Sequence, residues 1–189
     1  MMEKLNLTLE WDKVFPKSDK VDHQKVTFHN RYGITLAADL YIPKNAEGKL
    51  PAIAVSGPFG AVKEQSSGLY AQTMAEFGFL TIAFDPSFTG ESGGSPRYVA
   101  SPDINTEDFS AAVDYLSVQD NVDPERIGII GICGWGGMAI NTHRGRDYHL
   151  DENIADPEAI MKASLDQGKN LLIETFPSVD LYPDPACDY

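Results

Sequence analysis

The chain has 189 residues, 42% of them hydrophobic and 23% charged, with a formal net charge of −13. This composition is globular and excludes disorder throughout, and the negative charge repels phosphate backbones and anionic lipid, so neither nucleic acid nor a membrane is an expected partner. Two cysteines, Cys133 and Cys187, are too few for a disulfide scaffold, and neither an apolar run of about 18 residues nor an apolar signal core is present, so the expected setting is soluble and cytoplasmic.

Residues 1–21 are polar and read as an arm, with Trp11, Val14 and Phe15 as anchors onto the domain. Two strand-like runs follow. Lys25-Val26-Thr27-Phe28 alternates, residues 34–42 alternate more loosely, and Asn30-Arg31-Tyr32-Gly33 between them is a turn signal. Together they predict an antiparallel hairpin.

After Pro43 the pattern changes. Residues 51–56, 79–84 and 127–132 are short, continuous apolar runs, as expected of strands covered on both faces. Helical patterns lie between them. Leu69, Tyr70, Met74 and Phe77 share one face of a helix that Gly78 ends. Phe109, Ala112, Val113 and Leu116 sit at i, i+3, i+4 and i+7, with Asn105 as the expected cap and Glu107 and Asp108 in the first turn. Strands alternating with helices predict a βαβ sheet with right-handed crossovers.

The last third differs. Residues 143–189 carry 4 Lys/Arg and 10 Asp/Glu, so 4 − 10 gives −6 of the total −13 in a quarter of the chain. Asp156-Pro157-Glu158 reads as a helix start and Gly168 as its stop; Leu171-Leu172-Ile173 reads as one more strand, and the proline-bearing tail from Pro177 as irregular.

The chemistry lies in Gly131-Ile132-Cys133-Gly134-Trp135-Gly136-Gly137, which follows an apolar strand and should open a helix. A sharp strand-to-helix turn of this kind is a nucleophile elbow. It pushes one side chain up at the strand's carboxyl end and needs small neighbours. The helix N-terminus behind Cys133 favours negative charge. The competing reading is a plain glycine-rich turn around a buried, inert cysteine.

With these residues in hand, the chain resembles the α/β-hydrolase superfamily, nearest the dienelactone-hydrolase-like branch whose elbow holds cysteine or serine. The resemblance runs from about His23 to Asn141. It rests on the hairpin, residues 56–65 after the next strand, residues 85–94 after the one following, Val122-Asp123-Pro124-Glu125-Arg126-Ile127, and the elbow. It implies a mostly parallel sheet with helices on both faces in a single domain over 1–189. That domain has an arm (1–21), a matching core (22–142) and a divergent or shortened part (143–189) that leaves the C-terminal half incomplete. It also implies Cys133 as nucleophile, with the backbone N–H groups of Gly134 and Phe59 as the oxyanion hole. Residues 85–94 would border the pocket, and Trp135 would line or support it.

Two departures stand out. Trp135 occupies the place two after the nucleophile, where the family has a small residue. The triad order of nucleophile, acid and histidine needs later strands, yet only 56 residues follow Cys133, and Ser178 stands about where the histidine belongs. His143 and His149 are the candidate bases, and no triad acid is identifiable. Asp147 and Asp151 read as a solvated charge run, His23 and His29 as surface or edge positions, Glu64 as structural and Asp85 as a turn or cap residue. Neither a phosphate loop nor a convincing dinucleotide fingerprint is present, so no cofactor is implied, and the histidine spacings match no strong metal pattern.

The resulting expectation is an acyl hydrolase that cleaves a small-molecule ester, thioester or lactone through Cys133. Two other readings stay open: a catalytically silent hydrolase-like binding or assembly module, which would cover its open sheet by homo-oligomerisation, and a shortened form of a longer hydrolase.

Overall fold

The computed structural model describes residues 5–44 and 46–146, with side chains as far as Thr142. The predicted helix at 156–168, the strand at 171–173, His149, Asp147, Asp151, Ser178 and Cys187 lie outside the described residues, as does the His143 side chain.

Five strands form one sheet in the order β1-β2-β4-β3-β5. The hairpin expectation holds. β1 (Val21–His29) and β2 (Thr35–Pro43) are antiparallel, in register from Val21 opposite Pro43 to His29 opposite Thr35. Gly33, at φ +77°, supplies the left-handed residue of the turn. β3 (Leu50–Ser56), β4 (Leu80–Phe84) and β5 (Val122–Gly131) are mutually parallel, and β4 joins them to β2 as an antiparallel neighbour. The continuous apolar runs therefore mark strands buried on both faces.

Side chains alternate between two cores, as the two-residue period of a strand requires. Leu36, Leu40, Ala54, Ile82, Phe84 and Ile129 face α2 (Pro102–Ser117) and α3 (Trp135–Arg146), meeting Phe109, Leu116 and Met138. Tyr41, Ile53, Val55, Ala83 and Ile130 face α1 (Ser66–Glu76), meeting Ala71 and Ala75. The α/β architecture with helices on both faces is as expected, and Phe109, Ala112, Val113 and Leu116 are all buried.

Three local expectations need correction. In α1 the buried face is Ser67, Gly68, Ala71, Gln72 and Ala75, while Leu69 and Phe77 are exposed. Small residues face inward because neighbours lie close: the sheet against Ala71 and Ala75, and the Lys63 carbonyl and the N-terminal arm against Gly68. A Cβ on Gly68 would come within 3.0 Å of the Phe15 ring, and the Gln72 amide donates to Pro16 O and accepts from Ser18 N. In α2 the cap is Ser101, with Pro102 and Asp103 in the first turn. Asn105 sits one turn further on, and its side-chain oxygen accepts the Ser101 N–H. Of the arm's expected anchors, Phe15 is buried and Trp11 packs edge-on to Phe15 and His23, but Val14 is 75% exposed.

Leu116→Ala should lower unfolding free energy by about 2–5 kcal/mol, the usual range for a buried leucine. Leu69→Ala, on the same kind of residue but at 45% exposure, should change it by under about 0.5 kcal/mol. Urea titration of both variants checks the assignment of the two helix faces.

Candidate active site

The elbow is formed where β5 ends at Gly131 and α3 begins at Trp135. Cys133 lies between them at φ +60°, a conformation that costs a non-glycine residue about 1–3 kcal/mol, and its side chain is exposed. The turn is held by Ile132 N–H to Ser56 O, Trp135 N–H to Ile132 O and Gly136 N–H to Cys133 O. Gly131 is required by space: a Cβ there would lie 2.3 Å from Trp135 O. Cys133 is thus not the buried residue of the competing sequence reading.

Trp135 does not disturb the elbow, because its ring turns down into the core. It is fully buried, with centroids 5.7 Å from Phe109 and 5.8 Å from Phe59. Room for the ring comes from Gly57, at φ +101°, where a Cβ would lie 2.8 Å from the indole Cγ. The small residue usually found two places after the nucleophile is thus replaced by a glycine in the facing loop.

That loop, residues 57–65, carries Phe59. The ring is 48% exposed and lies against Gly134, where a Cβ would meet it at 2.3 Å. Phe59 and Gly134, paired from sequence, are therefore neighbours. Among the described residues neither backbone N–H has a hydrogen-bond partner. Phe59 and Trp135 also line a cavity of about 360 Å³, whose far wall is formed by Pro86, Thr89, Gly90 and Tyr98, Val99 and Ala100. Loop 85–94 does border the pocket, as expected.

Behind the pocket stands a group that sequence reading missed. Lys63 has no exposed side-chain surface, and its ammonium contacts Asp85 at 2.7 Å, Glu64 at 2.6 Å and Glu91 at 2.8 Å. Asp85 also accepts the backbone N–H groups of Lys63 and Glu91. Gly90 (φ +54°) is tight against this carboxylate, with a Cβ position 2.2 Å from Oδ2. Asp85 is therefore neither a simple turn residue nor a cap; it clamps loop 57–65 to loop 85–94. Glu64 is structural, as expected. The available signal was the Lys63-Glu64 pair in an otherwise apolar loop, answered by two acids in the next loop.

Lys25 extends the cluster to Glu91, Glu64 and Asp12 of the arm. Asp12, Glu64 and Glu91 offer oxygens within 4.8 Å of one another, and the two lysine ammonium groups already supply positive charge to them. Burial pulls the Lys63 ammonium down, but Asp85 and Glu64 outweigh it and hold it above the ordinary range. Burial pushes Glu91 up, but Lys25, Lys63 and the Thr8 N–H bring it down to about 2.

Of the histidines, His29 is an exposed edge residue bonded to Thr35, as expected. His23 stands on β1, the edge strand of the described sheet, as expected, but its side chain is mostly covered. It lies beneath the arm, packed edge-on to Trp11 and bonded to Asp39 at 2.8 Å. The candidate bases are not brought to Cys133 by anything described: His143 is placed only as a backbone position on α3, and His149 lies beyond the described residues.

Comparison with known proteins fits this architecture. The family model described as X-Pro dipeptidyl-peptidase (S15 family) matches residues 32–153. The uncharacterized protein PA2218 of Pseudomonas aeruginosa is 76% identical over 139 residues, which are 73% of this chain and 38% of that protein. Its crystal structure superposes with a TM-score of 0.73 at 75% identity, covering 74% of this chain and 44% of that one. A thiohydrolase, aneE, of Aspergillus aculeatus is 33% identical over 125 residues, 66% of this chain and 38% of its own length. The α/β hydrolase GrgF from Penicillium sp. superposes with a TM-score of 0.59 at 25% identity, over 64% of this chain and 41% of that one. The chain spans about 40% of the length of the curated relatives it matches.

Because Glu91 is depressed from 4.5 to about 2, its contribution to stability is complete above pH 4.5 and is lost as pH falls through that interval. Glu91→Gln should therefore lower stability at pH 7 and flatten the acid limb between about pH 4.5 and 2. Denaturation midpoints of both proteins across that range check it; parallel acid limbs would contradict it.

Proposed function

This chain belongs to the X-Pro dipeptidyl-peptidase (S15) family, and from that premise we propose an α/β-hydrolase domain that cleaves an ester, thioester or lactone through Cys133. The observation that carries the reading is Cys133 itself: exposed, held at φ +60° at a strand-to-helix junction, beside two backbone N–H groups that have no partner among the described residues. A strained backbone that presents an exposed thiol at a strand-to-helix junction suits a nucleophile. The thiohydrolase aneE, at 33% identity, supports thioester or ester chemistry as the type.

In this mechanism the Cys133 thiolate attacks the carbonyl carbon. A C–S bond forms as the carbonyl electron pair moves to oxygen, which the N–H groups of Phe59 and Gly134 receive. Collapse expels the alcohol or thiol with a proton from the conjugate acid of the base. Water, deprotonated by the base, then attacks the S-acyl group, releasing the carboxylic acid and restoring the cysteine. His143 and His149 are the proposed bases, and cytoplasmic residence is part of the same proposal.

Hydrolysis of p-nitrophenyl hexanoate should fall by at least about 10³-fold in Cys133→Ala. Progress curves of the parent and the variant at matched concentration make the comparison. Equal hydrolysis by both would overturn the reading, and absence of hydrolysis by the parent would favour the silent module.

A further inference from the structure

The geometry points to a substrate whose bound portion is an uncharged, apolar group lodged between loop 57–65 and residues 98–100. This rests on the reading of Cys133 as the nucleophile and names what that nucleophile is offered.

Cys133 does not itself line the cavity, which adjoins the elbow through two side chains, Phe59 and Trp135. Phe59 lies on Gly134, and Trp135 is two residues past Cys133. From there it runs over Ala61 and Val62 to Tyr98 and Val99. Its volume of about 360 Å³ is within the range of roughly 300–1,000 Å³ usual for small-molecule sites.

Among the described residues no charged side chain lines it. Its polar side-chain groups, on Thr89, Asn105, Tyr98 and Trp135, are neutral, and Asn105 is already committed: its oxygen accepts the Ser101 N–H and its amide donates to Asp108. The nearby acids give no purchase to a cation. Asp85, Glu64 and Glu91 are tied to Lys63 behind the loop. The charge that does stand by the outer wall is positive: the Arg97 guanidinium lies 5.8 Å from the Tyr98 ring centroid and donates to the carbonyls of Gly90 and Ser92.

An ammonium placed here would lose water, gain no carboxylate and meet Arg97. An anion would leave water for an apolar wall on a chain of charge −13. A neutral chain or ring gains from every apolar carbon it buries.

The test labels Cys133 without requiring turnover, so its failure is separate from the failure of hydrolysis. Three methanethiosulfonates are compared: n-hexyl (neutral), 2-aminoethyl (cationic) and 2-sulfonatoethyl (anionic). Each transfers its thioalkyl group to the cysteine sulfur, forming a disulfide as methanesulfinate leaves. Rates at the Cys133 peptide are read by mass spectrometry and divided by the rate of each reagent with N-acetylcysteine. The hexyl reagent should be at least about tenfold faster than either charged one after that correction. Val99→Asp, a change at an exposed pocket residue that the fold does not need, should reduce the preference at least about threefold. Equal corrected rates, a faster cationic reagent, or a hexyl preference indifferent to Val99→Asp would each overturn the proposal.

Discussion

A lysine buried without exposed side-chain surface stays charged only if carboxylates surround it, and the neighbourhood of the pocket is organised around that requirement at Lys63. Its partners come from two successive loops: Glu64 beside it, and Asp85 and Glu91 from the connection after β4. Lys25 then links Glu64 and Glu91 to Asp12 on the arm, and Lys13 links Asp12 to Asp39 on β2. Removing one member leaves its partners with less opposite charge in a poorly solvated place, which is why such clusters hold loops in one arrangement. Here the loops so held are the ones that carry Phe59 and the far wall of the cavity.

The elbow depends on a second constraint, the exchange of volume between Trp135 and glycine. The helix start is crowded by an indole where the fold usually has a small side chain, and the facing loop yields by having Gly57 and its positive φ. The indole in turn supports Phe59 and closes the base of the cavity. Strained backbone at Cys133, the bare faces at Gly57 and Gly131, and the contact of Phe59 with Gly134 are therefore one packing solution. They bring an exposed sulfur, two backbone donors and an apolar wall to the same end of the parallel strands, where ligands of open α/β sheets are usually found.

Much of the fold was legible because it rests on periodicity and turns. Continuous runs identified the three parallel strands, and the i, i+3, i+4, i+7 spacing identified the buried face of α2. The face of α1 was not legible, because its inward residues are mostly small: Ala71 and Ala75 meet the sheet, while Gly68 and Gln72 meet Phe15 and Pro16, some fifty positions earlier in sequence. At the site, Cys133 came from the glycine-rich turn, and Gly134 and Phe59 from the family resemblance. Lys63 did not, because a lysine in a loop reads as solvated until the acids of another loop are folded onto it. His23 is the edge position expected, but the cover over its side chain was not legible for the same reason: it comes from the arm and from Asp39 on the adjacent strand.

The account's central claim is that Cys133 accepts the acyl group. The direct measurement is mass spectrometry of the chain quenched with acid during reaction with p-nitrophenyl hexanoate at neutral pH, with peptides mapped after digestion. The account predicts a hexanoyl adduct on the peptide containing Cys133 and none on that containing Cys187. An adduct confined to other residues, or turnover with Cys133 never acylated, would contradict it.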